Sequence, residues 1–332
     1  MTETVEPRPE LIYALRRATE HAARAAYDWI GRGKKVEGDR AAVEAMCRAL
    51  MDVEIDGLVL IGEGEKNQAL QLYKGARIGI PDAPFKVDIA VDPVEGTTYL
   101  AKGLTNALAV IAVAPRGKLL DPGPAFYMEK FAAPPAAKGK IDPKASTREK
   151  LKALATALGK PVGALTIYVL EKPRHRDLVE EIHDAGARVA LYPAGDVAGA
   201  ILAAMPDSEI DALMGTGGTP EGIMSACAIR ALGGEFLGRI DPQLQTEART
   251  VAEAGMDTTR WYQRDEIVSS QDIFFCATGI TTGLMLDGVA RTPEHYKLQT
   301  LMISGVTGER QILTTYLTDE QVAAFAANTA AT

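Results

Sequence analysis

Cysteine is scarce in this chain of 332 residues. There are three, at positions 47, 227 and 276, with no CxxC and no close pair. That excludes a disulfide framework and a Cys-rich zinc site, and it suits a reducing cytoplasm. Histidine is nearly as rare, with four at positions 21, 175, 183 and 295, too few for a site built from several imidazoles. Long apolar runs are missing too. The longest, Ala107 to Pro115, is far too short to span a bilayer. A basic surplus is absent, since 36 Lys and Arg stand against 44 Asp and Glu for a net charge of −8. This excludes the extended basic surface of a nucleic-acid binder and a basic membrane-surface helix. The N-terminus, MTETVEPRPE, is acidic and polar, unlike a signal peptide. No Walker A pattern, GxSxG elbow or Ser-His-Asp set is present.

What remains is an ordinary globular composition, 47% hydrophobic and 24% charged. The expectation is a soluble cytoplasmic protein whose chemistry rests on carboxylates. The length suggests two domains or one large one. Leu11 to Ile30 reads as an Ala-rich amphipathic helix, and Gly31 to Gly38 as a Gly-rich basic loop. Asp39 stands at the N-cap position of a helix over 41–51. Strands are expected at 57–61, 87–91 and 107–114, the last too uniformly apolar to face water. Residues 132–144, with Pro134, Pro135 and Pro143, read as a linker or surface excursion. Helices at 147–158, 174–185, 196–205 and 219–232 then alternate with strands at 165–170, 187–192 and 209–214, the signature of an α/β layer. Strand candidates at 272–277, 299–304 and 311–317 finish the chain.

Acids beside glycine follow several strand-like runs. They are Gly62-Glu63-Gly64-Glu65, the stretch from Asp92 to Thr98, and Gly217-Gly218-Thr219-Pro220-Glu221-Gly222, with Asp39 on the loop before its helix. Ligands of α/β folds collect outside the carboxyl ends of strands. Taken singly, each acid has an ordinary structural explanation. Asp39 suits an N-cap, Glu63 and Glu65 a solvated turn, Glu221 the first turn of a helix after Pro220, and Asp92 a turn before Pro93. Together, Asp92, Glu95 and Thr97 packed behind an apolar strand are harder to dismiss. Carboxylates crowded in one dry place repel unless a cation joins them. Oxygen donors without His or Cys favour Mg²⁺ or Mn²⁺ over Zn²⁺. The stretch 215–219 opening a helix, Lys34 and Lys35, and Lys172-Pro173-Arg174-His175-Arg176 supply phosphate grips, although a solvated basic turn explains the last equally well. The combination suggests phosphate-ester hydrolysis by a two-metal mechanism.

The run Asp92-Pro93-Val94-Glu95-Gly96-Thr97 resembles the DPxDGT signature of the lithium-sensitive sugar phosphatases, the superfamily of inositol monophosphatase and fructose-1,6-bisphosphatase, with Glu95 where most members have Asp. With Ile61-Gly62-Glu63-Gly64-Glu65, Tyr127-Met128-Glu129-Lys130 and the Gly217–Gly222 run, it is similar to the class II fructose-1,6-bisphosphatases of bacteria. The likeness runs from about Ala23 through Ile240 and more weakly into 277–281. It implies an α/β fold, a layered αβαβα sandwich, in two domains over 1–160 and 161–332 with the site at their junction. The last strands are free to return to the first sheet.

The resemblance also implies roles. Asp39 and Glu63 correspond to the ligands of one metal, and Asp92, Glu95 and Glu221 to those of a second, with two or more Mn²⁺ or Mg²⁺ ions in all. Thr97 corresponds to the residue that positions the attacking water, and Lys35 to a Lys beside the reacting phosphate. Glu95, Gly96, Thr97, Tyr127, Lys172, Pro173, Arg174, Arg176, Asp196 and Gly218 line the substrate. Ala194 replaces an Asp that many members carry. The implied reaction removes the 1-phosphate of fructose 1,6-bisphosphate, in gluconeogenesis or Calvin-cycle carbon metabolism, by a cytoplasmic homodimer or homotetramer with no nucleic-acid or membrane partner. A sedoheptulose-1,7-bisphosphatase or dual-substrate enzyme, a non-catalytic sugar-phosphate-binding regulator, and more weakly an inositol-phosphate or nucleotide 3′-phosphatase, are the alternatives.

Overall fold

The computed structural model of the chain describes residues 9–63 and 72–327. Two compact units emerge. The first combines residues 1–117 with 272–332, and the second is the single stretch 118–271. The division expected near residue 160 therefore falls inside the second unit. The Pro-rich stretch 132–144, expected as a linker or surface excursion, also lies within it, with Ala133, Ala137 and Ile141 buried in its core.

The first unit begins with α1 (Leu11–Tyr27) and α2 (Lys35–Met51). Strands β1 (Asp56–Ile61), β2 (Arg77–Gly79) and β3 (Lys86–Glu95) follow, then the short α3 (Thr97–Lys102) and β4 (Leu108–Pro115). Helix α2 starts earlier than its apolar spacing suggests, so Asp39 lies within the helix and is not its cap. Gly38, buried, lets α2 come close to its neighbours, since a Cβ there would stand 2.7 Å from Leu100 Cδ2 and 3.0 Å from Trp29 Cβ. Strand β3 also outruns its expected end. It passes through Pro93 because the pairing with β4 shifts register between Asp92 and Glu95, where a missing N–H is tolerated.

The second unit contributes β5 (Tyr127–Ala133), α4 (Thr147–Leu158), β6 (Thr166–Leu170), α5 (Arg176–Asp184), β7 (Arg188–Tyr192), α6 (Asp196–Ala204), β8 (Ala212–Gly218) and α7 (Thr219–Leu232). It closes with β9 (Glu235–Ile240), α8 (Gln245–Glu253), β10 (Trp261–Gln263) and α9 (Arg264–Ile267). Its sheet runs β10-β9-β5-β8-β6-β7. Strands β6, β7 and β8 are parallel, as the alternation of helix and strand predicts, but β5 joins antiparallel between β8 and β9. The expected loop at 215–218 is the end of β8, paired with β5 at Lys130, Glu129, Met128 and Tyr127. One face of this sheet packs Phe131, Leu151, Leu154, Ile167, Val169 and Ile182 into a core with α4 and α5.

The chain then returns to the first unit as β11 (Phe274–Gly279), β12 (Ala290–Arg291), β13 (Tyr296–Ser304), β14 (Arg310–Leu317) and α10 (Asp319–Ala327). Strand β11 pairs with β4, so the sheet reads β12-β13-β11-β4-β3-β1-β2 with β14 on β13. The return of the last strands to the first sheet is thus realised. The fold is α/β, with a mixed sheet and its helices in each unit. Phe131 is 1% exposed at the centre of the second unit's core. Phe131→Ala is expected to lower stability by about 3–5 kcal/mol, read as a shifted urea midpoint.

Candidate active site

In the first unit the acids gather at one end of the sheet. Strands β1 and β3 are parallel with Ile61 opposite Ala90, so Glu63, just past the end of β1, and Asp92, on β3, each lie two residues beyond that pair. Asp39 reaches Glu63 from α2, and their side chains share a hydrogen bond. Two carboxyl groups can hydrogen-bond only if one carries a proton. Burial pushes the Asp39 carboxyl above its ordinary value, against the opposing influence of Glu63 and the ammonium of Lys35 one turn earlier. Among the described residues, the Oδ1 atom of Asp39 is buried without a hydrogen-bond partner. Asp92 is half-buried and accepts the Val94 N–H at 3.1 Å, which turns the chain toward Glu95, 3% exposed. Gly96 adopts φ +89°, and a Cβ there would also stand 2.8 Å from Tyr99 Cδ2. This glycine turn sets Thr97 as the first residue of α3. Gly64 and Glu65 lie outside the described residues.

The second unit holds the other expected residues. Glu221 sits in the first turn of α7, and its Oε2 is buried without a partner, as is Thr219 Oγ1. Burial raises the Glu221 carboxyl, the charge of Asp196 raises it further, and Lys130 opposes both. Lys130 and Asp196 form an ion pair, with both residues buried. Asp196 opens α6 behind Gly195 in the left-handed region at φ +89°. The Tyr168 hydroxyl lies 3.0 Å from the Ala194 carbonyl and 2.9 Å from that of Gly195, holding this turn. Gly218 lacks a side chain because the Glu221 carboxylate occupies its space.

Arg174 donates through Nε and Nη2 to the Thr216 carbonyl at 3.0 and 2.7 Å, and its guanidinium lies 5.1 Å from the Tyr127 ring centroid. That leaves Nη1 to meet an anion from a fixed position. Beneath it, buried His175 bonds the Leu170 carbonyl through Nδ1 at 2.6 Å and accepts the Thr216 N–H at Nε2. These partners fix a neutral ring with the proton on Nδ1, and burial lowers its pKa. Lys172 is half-buried, and Pro173 and Arg176 are exposed. Sequence reasoning missed Lys130 and His175 as supports. Their signal was a charged residue inside a strand and a histidine beside an expected phosphate grip.

A family model described as bacterial fructose-1,6-bisphosphatase, glpX-encoded, matches residues 9–317. The chain belongs to the bacterial fructose-1,6-bisphosphatase family. Fructose-1,6-bisphosphatase 1 class 2 of Escherichia coli (strain K12) is 43% identical over 311 residues, 90% of this chain and 92% of that protein. Fructose-1,6-bisphosphatase class 2 of Shigella flexneri matches with the same identity and coverage. Among solved structures, the extragenic suppressor protein suhB from Bartonella henselae is 14% identical with a TM-score of 0.34, covering 59% of this chain and 73% of that one. A likeness at that level carries no argument.

For a fructose-1,6-bisphosphatase with divalent ions, the chemistry of the donors fits. They are hard carboxylate oxygens, and Asp39 and Glu221 each bury one that no hydrogen bond satisfies. Among the described residues, no group of three or more His, Cys, Asp and Glu is gathered to hold a metal ion.

A sign follows for the metal-free protein. Asp39 binds its proton more tightly folded than unfolded, so its share of stability is present at low pH and is lost as pH rises from the ordinary value of 3.8 upward. The stability of Asp39→Asn relative to the native chain is therefore expected to increase with pH across that range, measured by thermal denaturation in chelator.

Proposed function

We propose that the chain hydrolyses the 1-phosphate of fructose 1,6-bisphosphate, giving fructose 6-phosphate and phosphate, with Mn²⁺ or Mg²⁺ as cofactor. The match to the family over residues 9–317 carries the substrate. The half-buried Asp39 and Glu63, with the buried and unsatisfied Oδ1 of Asp39, support the metal requirement. In this reading Asp39 and Glu63 hold one ion, and Asp92, Glu95 and Glu221 hold another. Bound there, such ions supply Lewis acidity and neutralise the phosphate charge.

The chain's own residues supply the rest. The Thr97 hydroxyl accepts a hydrogen bond from the attacking water, aiming it at phosphorus in line with the P–O bond to the C1 oxygen, which breaks as that oxygen leaves with the sugar. Lys35 holds the reacting phosphate. Gly96 and Gly218 line the sugar with their backbone. Arg174, steadied by Thr216 and Tyr127, clamps the distal phosphate with directional donors that a Lys could not copy. Lys172, Pro173 and Arg176 border that clamp, and Asp196 accepts from a sugar hydroxyl.

We further read the enzyme as a cytoplasmic homodimer or homotetramer. Cys47, Cys227 and Cys276 are buried and form no disulfide, as a reducing compartment allows. Among the described residues, no helix is long and apolar enough to cross a membrane.

Phosphate release in Mn²⁺ tests the proposal. Chelator is expected to abolish turnover and added Mn²⁺ or Mg²⁺ to restore it. Glu63→Gln and Asp92→Asn are each expected to lower kcat/KM by about a hundredfold or more, since one fewer anionic ligand weakens an ion that stabilises the transition state. Native activity in both variants would remove the metal assignment. Comparing kcat/KM for fructose 1,6-bisphosphate and sedoheptulose 1,7-bisphosphate tests the dual-substrate alternative.

A further inference from the structure

Lys130 is a cation where its strand calls for an apolar side chain. It lies in the middle of β5, paired with Gly215 on one side and Gly238 on the other, and is 2% exposed. Strand alternation puts Met128 and Lys130 on one face and Glu129 and Phe131 on the other. The first face is the one beneath α7. A Cβ on Gly222 would stand 2.9 Å from Met128 Sδ and 3.4 Å from Lys130 Cε. The stem of Lys130 thus runs under the start of α7 and delivers its ammonium to Asp196 Oδ2 at the start of α6. Gly217 keeps this route open. A Cβ there would stand 3.1 Å from Lys130 Nζ and collide with the Asp196 carboxylate.

The pair also separates two acids. The charge of Asp196 acts unfavourably on Glu221, and Lys130 counters it. An ammonium held by strand backbone on both sides has little freedom to relocate, so it fixes where Asp196 points. Oδ2 takes the ion pair, and among the described residues no hydrogen bond to Oδ1 competes with it.

We propose that Lys130 is a positioning residue for sugar binding. It anchors Asp196 through Oδ2 and so presents Oδ1 to a hydroxyl of the sugar. Ala194, two residues earlier, offers no carboxylate, which leaves this acceptor dependent on the anchor. The proposal rests on the reading of Asp196 as a substrate contact.

The test measures kcat and KM separately for fructose 1,6-bisphosphate, in Mn²⁺, on full-length Lys130→Met, Asp196→Asn and the double variant. Each single substitution is expected to raise KM about tenfold or more while kcat stays within about threefold, the loss of one charge-assisted hydrogen bond. The double variant is expected to match Asp196→Asn, because Lys130 acts through Asp196. A KM for Lys130→Met within about twofold of native, including the case where only Tm falls, would overturn the proposal, as would KM increases that multiply in the double variant. Should Lys130→Met not fold, the charge-neutral double variant decides against Asp196→Asn: equal KM supports the anchor, and a further rise overturns it. If the native chain releases no phosphate from the bisphosphate, the proposed activity fails by itself. The same cycle is then read as Kd for fructose 6-phosphate by calorimetry, where a double variant equal to Asp196→Asn supports the anchor and a weaker one overturns it.

Discussion

A carboxylate withdrawn from water must be compensated by a proton, a cation or hydrogen-bond donors, and the acids here meet that demand in different ways. Burial pushes the Asp39 carboxyl toward its neutral form beside Glu63. Asp196 takes the ammonium of Lys130. Glu221 buries an oxygen with no partner. Elsewhere, Asp88 and Asp56 meet the guanidinium of Arg116, and Glu247 accepts the N–H groups of Phe126, Tyr127 and Gln243. The second group is satisfied by the chain and is therefore structural. In the first group Asp39 and Glu221 each bury an oxygen left short, and these are the acids that suit an exchangeable cation, whereas Asp196 is already paired.

The glycines follow from the same demand. A carboxylate placed against backbone needs room, and Gly217 and Gly218 provide it by having no Cβ where Asp196 and Glu221 lie. Gly218 has an ordinary φ of −66°, so space and not conformational freedom explains it. Gly96 is the opposite case, where φ +89° makes the turn that sets Thr97 behind Glu95.

Much of this was legible in the sequence, because local rules governed it. The helices over 147–158 and 219–232 are read from apolar spacing, and the structure has them at the same residues. The readings that differ depended on pairing with distant chain. Strand β5 escapes notice because Glu129 and Lys130 interrupt its apolar run, and those charges find partners in Arg239 and Asp196 far along the chain. Residues 215–218 resemble a loop by composition, yet a partner strand makes them part of β8. Asp39 looks like a helix cap until α2 is seen to begin at Lys35, and with that its ordinary explanation disappears. The candidate acids stood out as acids beside glycine after strands. Their supports, Lys130 and His175, did not, because a buried cation or imidazole acquires meaning only from what tertiary structure puts beside it.

The first unit is interrupted. Its chain stops at residue 117 and resumes at 272, and β4 acquires its second neighbour, β11, only after the whole second unit has been passed. On the ribosome, β3 and β4 therefore emerge with one long apolar edge uncovered, while every strand of the second unit is translated before β11 exists. Domains generally fold as units during synthesis, and an open strand edge invites pairing with other chains. The order of translation lets the second unit fold first and leaves the edge of Leu108 to Pro115 without its partner strand until β11 arrives.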